Sequence, residues 1–159
     1  MSFTIRDFDP VRDEAAALSF IDGSQLYEVA LEPNRRVDGT VARDHFGYMM
    51  DRVARNGGRI FVAETDGRAI GWAVMSLEEN AIFVTAEERP HGYIAELFVE
   101  EAARGLGVGR ALIAACEDET LRRGLRQVKI GVLIANRRSA DIYQKAGYAP
   151  YSMELRKYL

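Results

Sequence analysis

Tyr93-Ile94-Ala95-Glu96-Leu97-Phe98-Val99 is an apolar extended run, Arg104-Gly105-Leu106-Gly107-Val108-Gly109-Arg110 is a glycine-rich turn, and Ala111-Leu112-Ile113-Ala114-Ala115 opens a strong helix-forming segment. Strand, glycine loop and helix in that order make an anion cradle. Glycine lets the backbone turn sharply and come close to a ligand, while the first helical turn presents N–H groups that lack partners and carry partial positive charge. A phosphate is the natural occupant. The spacing then chooses among phosphate-binding loops. A Walker A loop needs Lys followed by Ser or Thr after its last glycine, and here Gly109 is followed by Arg110 and Ala111. The dinucleotide fingerprint fails in both registers, because its third glycine falls on Arg110 counted from Gly105 and on Leu112 counted from Gly107.

Outward from this loop the chain reads as alternating elements. Phe3 to Phe8 alternates apolar and polar residues, the pattern of a strand, and Asp9-Pro10 opens a helix with a cap residue and a proline at its first position. That helix is expected to run to about Phe20. Residues 22 to 39, with Gly23, Pro33, Asn34 and Gly39, read as a long loop with room for a short helix around Gln25 to Leu31. A second helix is expected from about Thr40 to Asn56, ended by Gly57-Gly58. Arg59 to Thr65 and Arg68 to Leu77 are apolar runs joined by Asp66-Gly67, a hairpin signal. After a connection over 81 to 91, the glycine loop leads into a helix from Gly107 to about Arg123. A strand from Gln127 to Leu133, a helix from Arg137 to Ala146 and a last strand from Pro150 to Leu155 complete the pattern. It predicts an α/β domain with a mixed sheet.

Arg104, Gly107 and Gly109 spell Arg-x-x-Gly-x-Gly, and downstream Asn136 precedes Tyr143-x-x-x-Gly147-Tyr148. Together these resemble the two signatures of the GCN5-related N-acetyltransferase (GNAT) family, with Tyr148 in place of the usual Phe. The resemblance covers roughly residues 59 to 155, and the N-terminal third agrees in arrangement rather than in motif. It implies a single domain over residues 1–159, with a mixed central β-sheet flanked by helices. Two parallel strands, ending at Val99 and Leu133, splay apart. It further implies acetyl-CoA as cosubstrate, no metal, and direct transfer of the acetyl group to an amine.

Carried over residue by residue, Leu97 and Val99 offer main-chain hydrogen bonds to the pantetheine arm, and the N–H of Phe98 or Val99 polarises the thioester carbonyl. The N–H groups of Leu106, Gly107, Gly109 and Arg110 hold the pyrophosphate, Gly105 and Val108 belong to the same cofactor-binding loop, and Arg104 is a phosphate neighbour. Asn136 caps its helix or bonds the pantetheine amides. Tyr143 is the expected proton donor to the departing thiolate, since a phenol can serve as general acid. For the general base the family keeps no fixed residue. Some members have Glu where this chain has Ala95, and Glu96 points to the opposite face by strand alternation. Glu96 is the first candidate, ahead of His91 or an ordered water, and His45, on a helix, reads as a surface or core residue. Glu101 stands where many relatives have proline.

Composition bounds the partners. The 159 residues hold 24 acidic and 21 basic side chains, a formal charge of −3, which argues against a nucleic-acid partner and mildly favours a cationic substrate such as a small-molecule amine. One cysteine, Cys116, makes no internal disulfide, and the N-terminus has neither a signal peptide pattern nor any apolar run of membrane-spanning length. A cytoplasmic protein without a membrane partner is expected. A homodimer is frequent in the family, though no apolar stripe marks an interface. Acylation of a protein or peptide amine, or CoA binding by a sensor without turnover, are the alternative readings.

Overall fold

The computed structural model describes residues 2–159. In chain order the elements are β1 (Thr4–Asp7), α1 (Pro10–Val29), α2 (Val41–Arg55), β2 (Arg59–Thr65), β3 (Arg68–Glu79), β4 (Pro90–Val99), α3 (Val108–Arg122), β5 (Val128–Ile130) and α4 (Arg137–Lys145). The strands form one sheet of order β1-β2-β3-β4-β5, antiparallel except for the parallel β4–β5 pair. This is the expected α/β architecture with a mixed sheet. Local signals explain most boundaries. The Asp9 carboxylate accepts from the N–H groups of Val11 and Arg12 at the start of α1, where Pro10 has no N–H to lose. The β2–β3 turn has φ of 49° at Asp66 and 76° at Gly67, the positive pair that lets a two-residue hairpin follow strand twist.

Each face of the sheet buries its own apolar cluster. Ile60, Val62, Trp72 and Val74 pack with Ala17, Phe20 and Ile21 of α1 and with Met49 of α2. On the other face Phe61, Ala63, Ala73, Met75 and Ile94 pack with Leu112, Ile113 and Cys116 of α3. Burial pushes the Cys116 thiol up to about 12, so it stays a packing group without nucleophilic character.

Four expectations are corrected. Helix α1 passes through Gly23 to Val29, and the glycine there answers to packing and not to a turn: a Cβ on Gly23 would lie 2.7 Å from Cζ of Phe98. That glycine serves close helix-to-strand approach, and the connection to α2 shrinks to residues 30–40. Strand β5 is only Val128–Ile130, short of Gln127 to Leu133. The expected strand from Pro150 to Leu155 does not form. Its alternating Tyr151, Met153 and Leu155 find no apolar face and stay exposed, and the segment is tied by side chains, Lys129 over the Tyr151 ring and Arg156 to Glu32 at 3.0 Å.

The fourth correction concerns β4. Val74 is opposite Glu96 and Met75 is opposite Ile94, so Ala95 is an extra residue, a β-bulge. The bulge cancels one step of alternation. Ala95 packs on the α1/α2 face and Glu96 reaches α2, so both point to the same side and not to opposite faces.

A buried carboxylate fastens α3 to the sheet. Glu119 is 3% exposed and accepts from Arg59 at 2.9 Å, Arg122 at 2.6 Å and Arg123 at 2.7 Å. Arg122 first, with Arg123 and Arg59, holds its carboxyl at about 2 against an ordinary 4.5, while burial opposes them. The folded value is the lower one, so this stabilisation is complete above about pH 4.5 and fades as pH falls towards 2. Glu119→Gln is expected to cost about 2–3 kcal/mol at pH 7, lowering the melting temperature by about 4–10 °C. Denaturant unfolding at pH 7 and at pH 3 checks this: the gap between variant and wild type should narrow at the lower pH, and an undiminished gap would refute the ion-pair origin.

Candidate active site

The parallel ladder between β4 and β5 ends at Ile94 opposite Ile130, while β4 continues to Val99 with only β3 beside it. From Ala95 onward one edge of β4 therefore faces a gap, the splay expected from the resemblance. Leu97 and Val99 direct their side chains to the α3 cluster and Phe98 to the α1 cluster, where it stacks on Phe20 at 5.5 Å. The backbone groups of Leu97 and Val99 border the gap, whereas those of Phe98, expected to face it as well, turn to β3, where the Phe98 carbonyl lies against Gly71.

The glycine loop closes the end of that gap. Gly105 and Gly107 have φ of 79° and 87°, a left-handed conformation that side-chain-bearing residues adopt at a cost. A Cβ on either meets nothing within 4 Å, so the loop's outer surface is open. Gly107 is the N-cap of α3, yet among the described residues no side chain caps that helix and its first turn carries no acidic residue. Its N–H groups thus remain free for an outside acceptor, with the positive end of the helix dipole behind them. Arg104 is turned inward: its Nε donates to the Val99 carbonyl at 3.0 Å and its guanidinium lies over the Phe98 ring at 5.9 Å. It braces the junction of strand and loop.

From the other side of the gap α4 contributes Asn136 and Tyr143. The Asn136 side chain caps α4, accepting from the Ser139 N–H at 3.1 Å, and takes a second bond from the Tyr27 hydroxyl at 3.3 Å. Tyr27 thereby links the end of α1 to the start of α4. Tyr143 packs against the α3-side cluster, and burial, reinforced by the charges of Glu28 and Glu96, raises its phenol above the usual value, so it holds its proton at neutral pH. The same electrostatic coupling places Glu96 and Tyr143 in one neighbourhood. His91 is not there: buried and paired with Glu78 in register, it sits five residues back along β4, about 17 Å from Glu96. Its Nδ1 lies 3.0 Å from the Arg89 carbonyl oxygen. In its stead His45 of α2 places Nε2 2.6 Å from Oε1 of Glu96. No sequence signal marks this pair, since the bulge that aims Glu96 and the 51-residue separation of the two are both products of tertiary register.

Residues 23–148 match the model of the Acetyltransferase (GNAT) family. The chain belongs to this family. Among curated members it is 29% identical over 157 residues to a mycothiol acetyltransferase of Thermomonospora curvata, covering 96% of this chain and 46% of that protein. The chain thus spans about half the length of the curated relatives it matches. Solved structures share its fold. A tetramutant of a Bacillus halodurans protein superposes with a TM-score of 0.84 over 98% of this chain and 99% of that one, at 19% identity. An aminoglycoside N-acetyltransferase solved in complex with CoA gives a TM-score of 0.70 over 99% and 95%, at 21% identity. These likenesses of fold extend through the N-terminal third, where sequence motifs are lacking.

Proposed function

We propose that residues 1–159 form one acetyl-CoA-dependent N-acetyltransferase domain that transfers an acetyl group to a primary amine of a small molecule, by direct attack in a ternary complex. One observation carries this reading: a strand edge left open by the splay runs straight into an uncapped, glycine-lined helix N-terminus. A long ligand with an acyl thioester at one end and a diphosphate at the other suits that arrangement. The residues fit the group, since the outer surface of Gly105 and Gly107 is open and no acidic side chain repels phosphate there.

Acetyl-CoA, when bound, supplies the acetyl group already activated as a thioester. The protein's part is positioning and proton management. Main-chain groups of Leu97 and Val99 align the pantetheine arm, and N–H groups of Leu106, Gly107, Val108, Gly109 and Arg110 hold the diphosphate. The N–H of Val99 donates to the carbonyl oxygen as negative charge grows on it, since the N–H of Phe98 faces β3. Tyr143, a phenol that holds its proton at neutral pH, gives that proton to the departing sulfur. Asn136 orients α4 so that Tyr143 faces the gap. The relatives support a small acceptor, one being named for mycothiol and another for aminoglycosides. A buried free thiol suits a reducing cytoplasm, where we place the protein. Thiol release from acetyl-CoA across a panel of polyamines, aminoglycosides, amino acids and peptides tests the reading. Turnover of a small amine is expected, and CoA binding without turnover of any amine would make the domain a sensor.

A further inference from the structure

We propose that His45 and Glu96 act as a proton-accepting pair, and that the acceptor amine enters through the polar pocket beside His45. The inference rests on the acetyl-transfer reading above and adds to it the route of the amine and of its proton. The bulge at Ala95 turns Glu96 towards α2, two residues beyond the last β4–β5 pair and so at the mouth of the splay. There His45 Nε2 is 2.6 Å from Glu96 Oε1, with side-chain exposures of 26% and 16%. Glu96 is the inner member and His45 the outer.

His45 also forms one wall of a cavity of about 300 Å³, whose other walls include Gln25 of α1, Asn34, Arg35 and Arg36 of the connecting segment, and Asp44 of α2. That volume suits a small molecule. Both arginines are already neutralised, Arg35 by Glu28 at 2.7 Å and Arg36 by Asp38 at 2.8 Å and Asp44 at 3.0 Å. With two cations against three carboxylates, no unpaired positive charge in this group opposes an ammonium ion. Asp44 lines the pocket beside His45, the Tyr48 ring lies 6.3 Å from the His45 ring on α2, and Tyr143 of α4 lies within electrostatic reach of Glu96. A hydrophilic amine with several hydroxyl or amide groups matches such walls better than an apolar one.

The proton count closes on this path. An ammonium acceptor loses two protons in becoming an amide. As the C–N bond forms, the C–S bond breaks with its electron pair going to sulfur, and one proton reaches that sulfur by way of Tyr143. The other passes from the amine nitrogen to Glu96, moves to His45 Nε2, and leaves from the second ring nitrogen into the solvent of the pocket. Imidazole has two ring nitrogens that can each take up or give back a proton, which suits it for this exit.

The test compares wild type with His45→Gln, which keeps a hydrogen-bonding group towards Glu96 but cannot exchange a proton, with His45→Ala, and with Glu96→Gln. Thiol release is followed from pH 6 to 9 with the amine that the wild type turns over best. Calorimetry with CoA and thermal melts serve as controls. His45→Gln is expected to fold and bind CoA as wild type does, to lose about tenfold in kcat/KM for the amine, and to flatten the acidic limb of its pH profile. Glu96→Gln is expected to lose about a hundredfold. Added imidazole should restore part of the rate to His45→Ala. An active wild type matched by His45→Gln in both rate and pH profile would overturn the relay alone. A wild type inactive with every amine would overturn the acetyl-transfer reading and the relay together.

Discussion

Gly107→Trp is expected to abolish measurable binding of CoA, raising its Kd by at least about a hundredfold while leaving the chain folded. Two costs combine. At a φ of 87° any L-residue is strained by about 1–2 kcal/mol, which appears as lost stability and a melting temperature lower by about 2–8 °C. The larger effect falls on the ligand. A Cβ at this position points into open space on the outer side of the loop, where the diphosphate is to lie, so an indole fills the cradle and separates the N–H groups of the first turn of α3 from their acceptor. Losing two hydrogen bonds to a charged group at about 1.5–3 kcal/mol each amounts to about 10²–10⁴ in affinity. Gly107→Ala separates the two causes, because it shares the backbone strain but not the bulk. Calorimetry with CoA on both variants should show alanine binding far better than tryptophan at similar stability. Equal, near-normal affinity in both would remove the diphosphate from this loop.

Tyr143→Phe is the second variant with a large expected effect, and here the loss falls on turnover. The phenol is half-buried against the α3-side cluster and near Glu96, and burial shifts its pKa still further above the neutral range. Phenylalanine preserves that packing and removes only the proton donor. We expect kcat to fall by about a hundredfold, within the range for general acid catalysis, with the Kd for CoA changed by less than about fivefold. Steady-state kinetics with saturating amine, set beside calorimetric binding, reads the two separately. An unchanged kcat would leave Tyr143 a packing residue.

The features legible in the sequence are those set by short-range backbone demands. Gly105 and Gly107 announce positive φ within a strand-loop-helix order, Asp66-Gly67 announces a two-residue hairpin, and Asp9-Pro10 announces a helix start, and all three hold. What the sequence conceals depends on partners far along the chain. Gly23 resembles a loop marker when read alone, yet it lies inside α1, and the position is a glycine because Phe98, 75 residues later, leaves no room for a Cβ. The bulge at Ala95 follows from the registers of β3 and β4 on either side of it, so simple alternation assigned Glu96 to the wrong face. His45 became a candidate only once that bulge brought Glu96 to α2. The segment from Tyr151 to Leu155 carries a strand's alternation, but alternation alone does not supply a face to bury against.

Titration of the ¹⁵N-labelled protein with CoA, followed amide by amide in ¹H–¹⁵N spectra, probes the cradle and the open strand edge together. The predicted result is that the largest shifts fall on the amides of Leu106 to Arg110 and of Leu97 to Val99. Binding that leaves those amides in place while shifting a different surface would contradict the assignment.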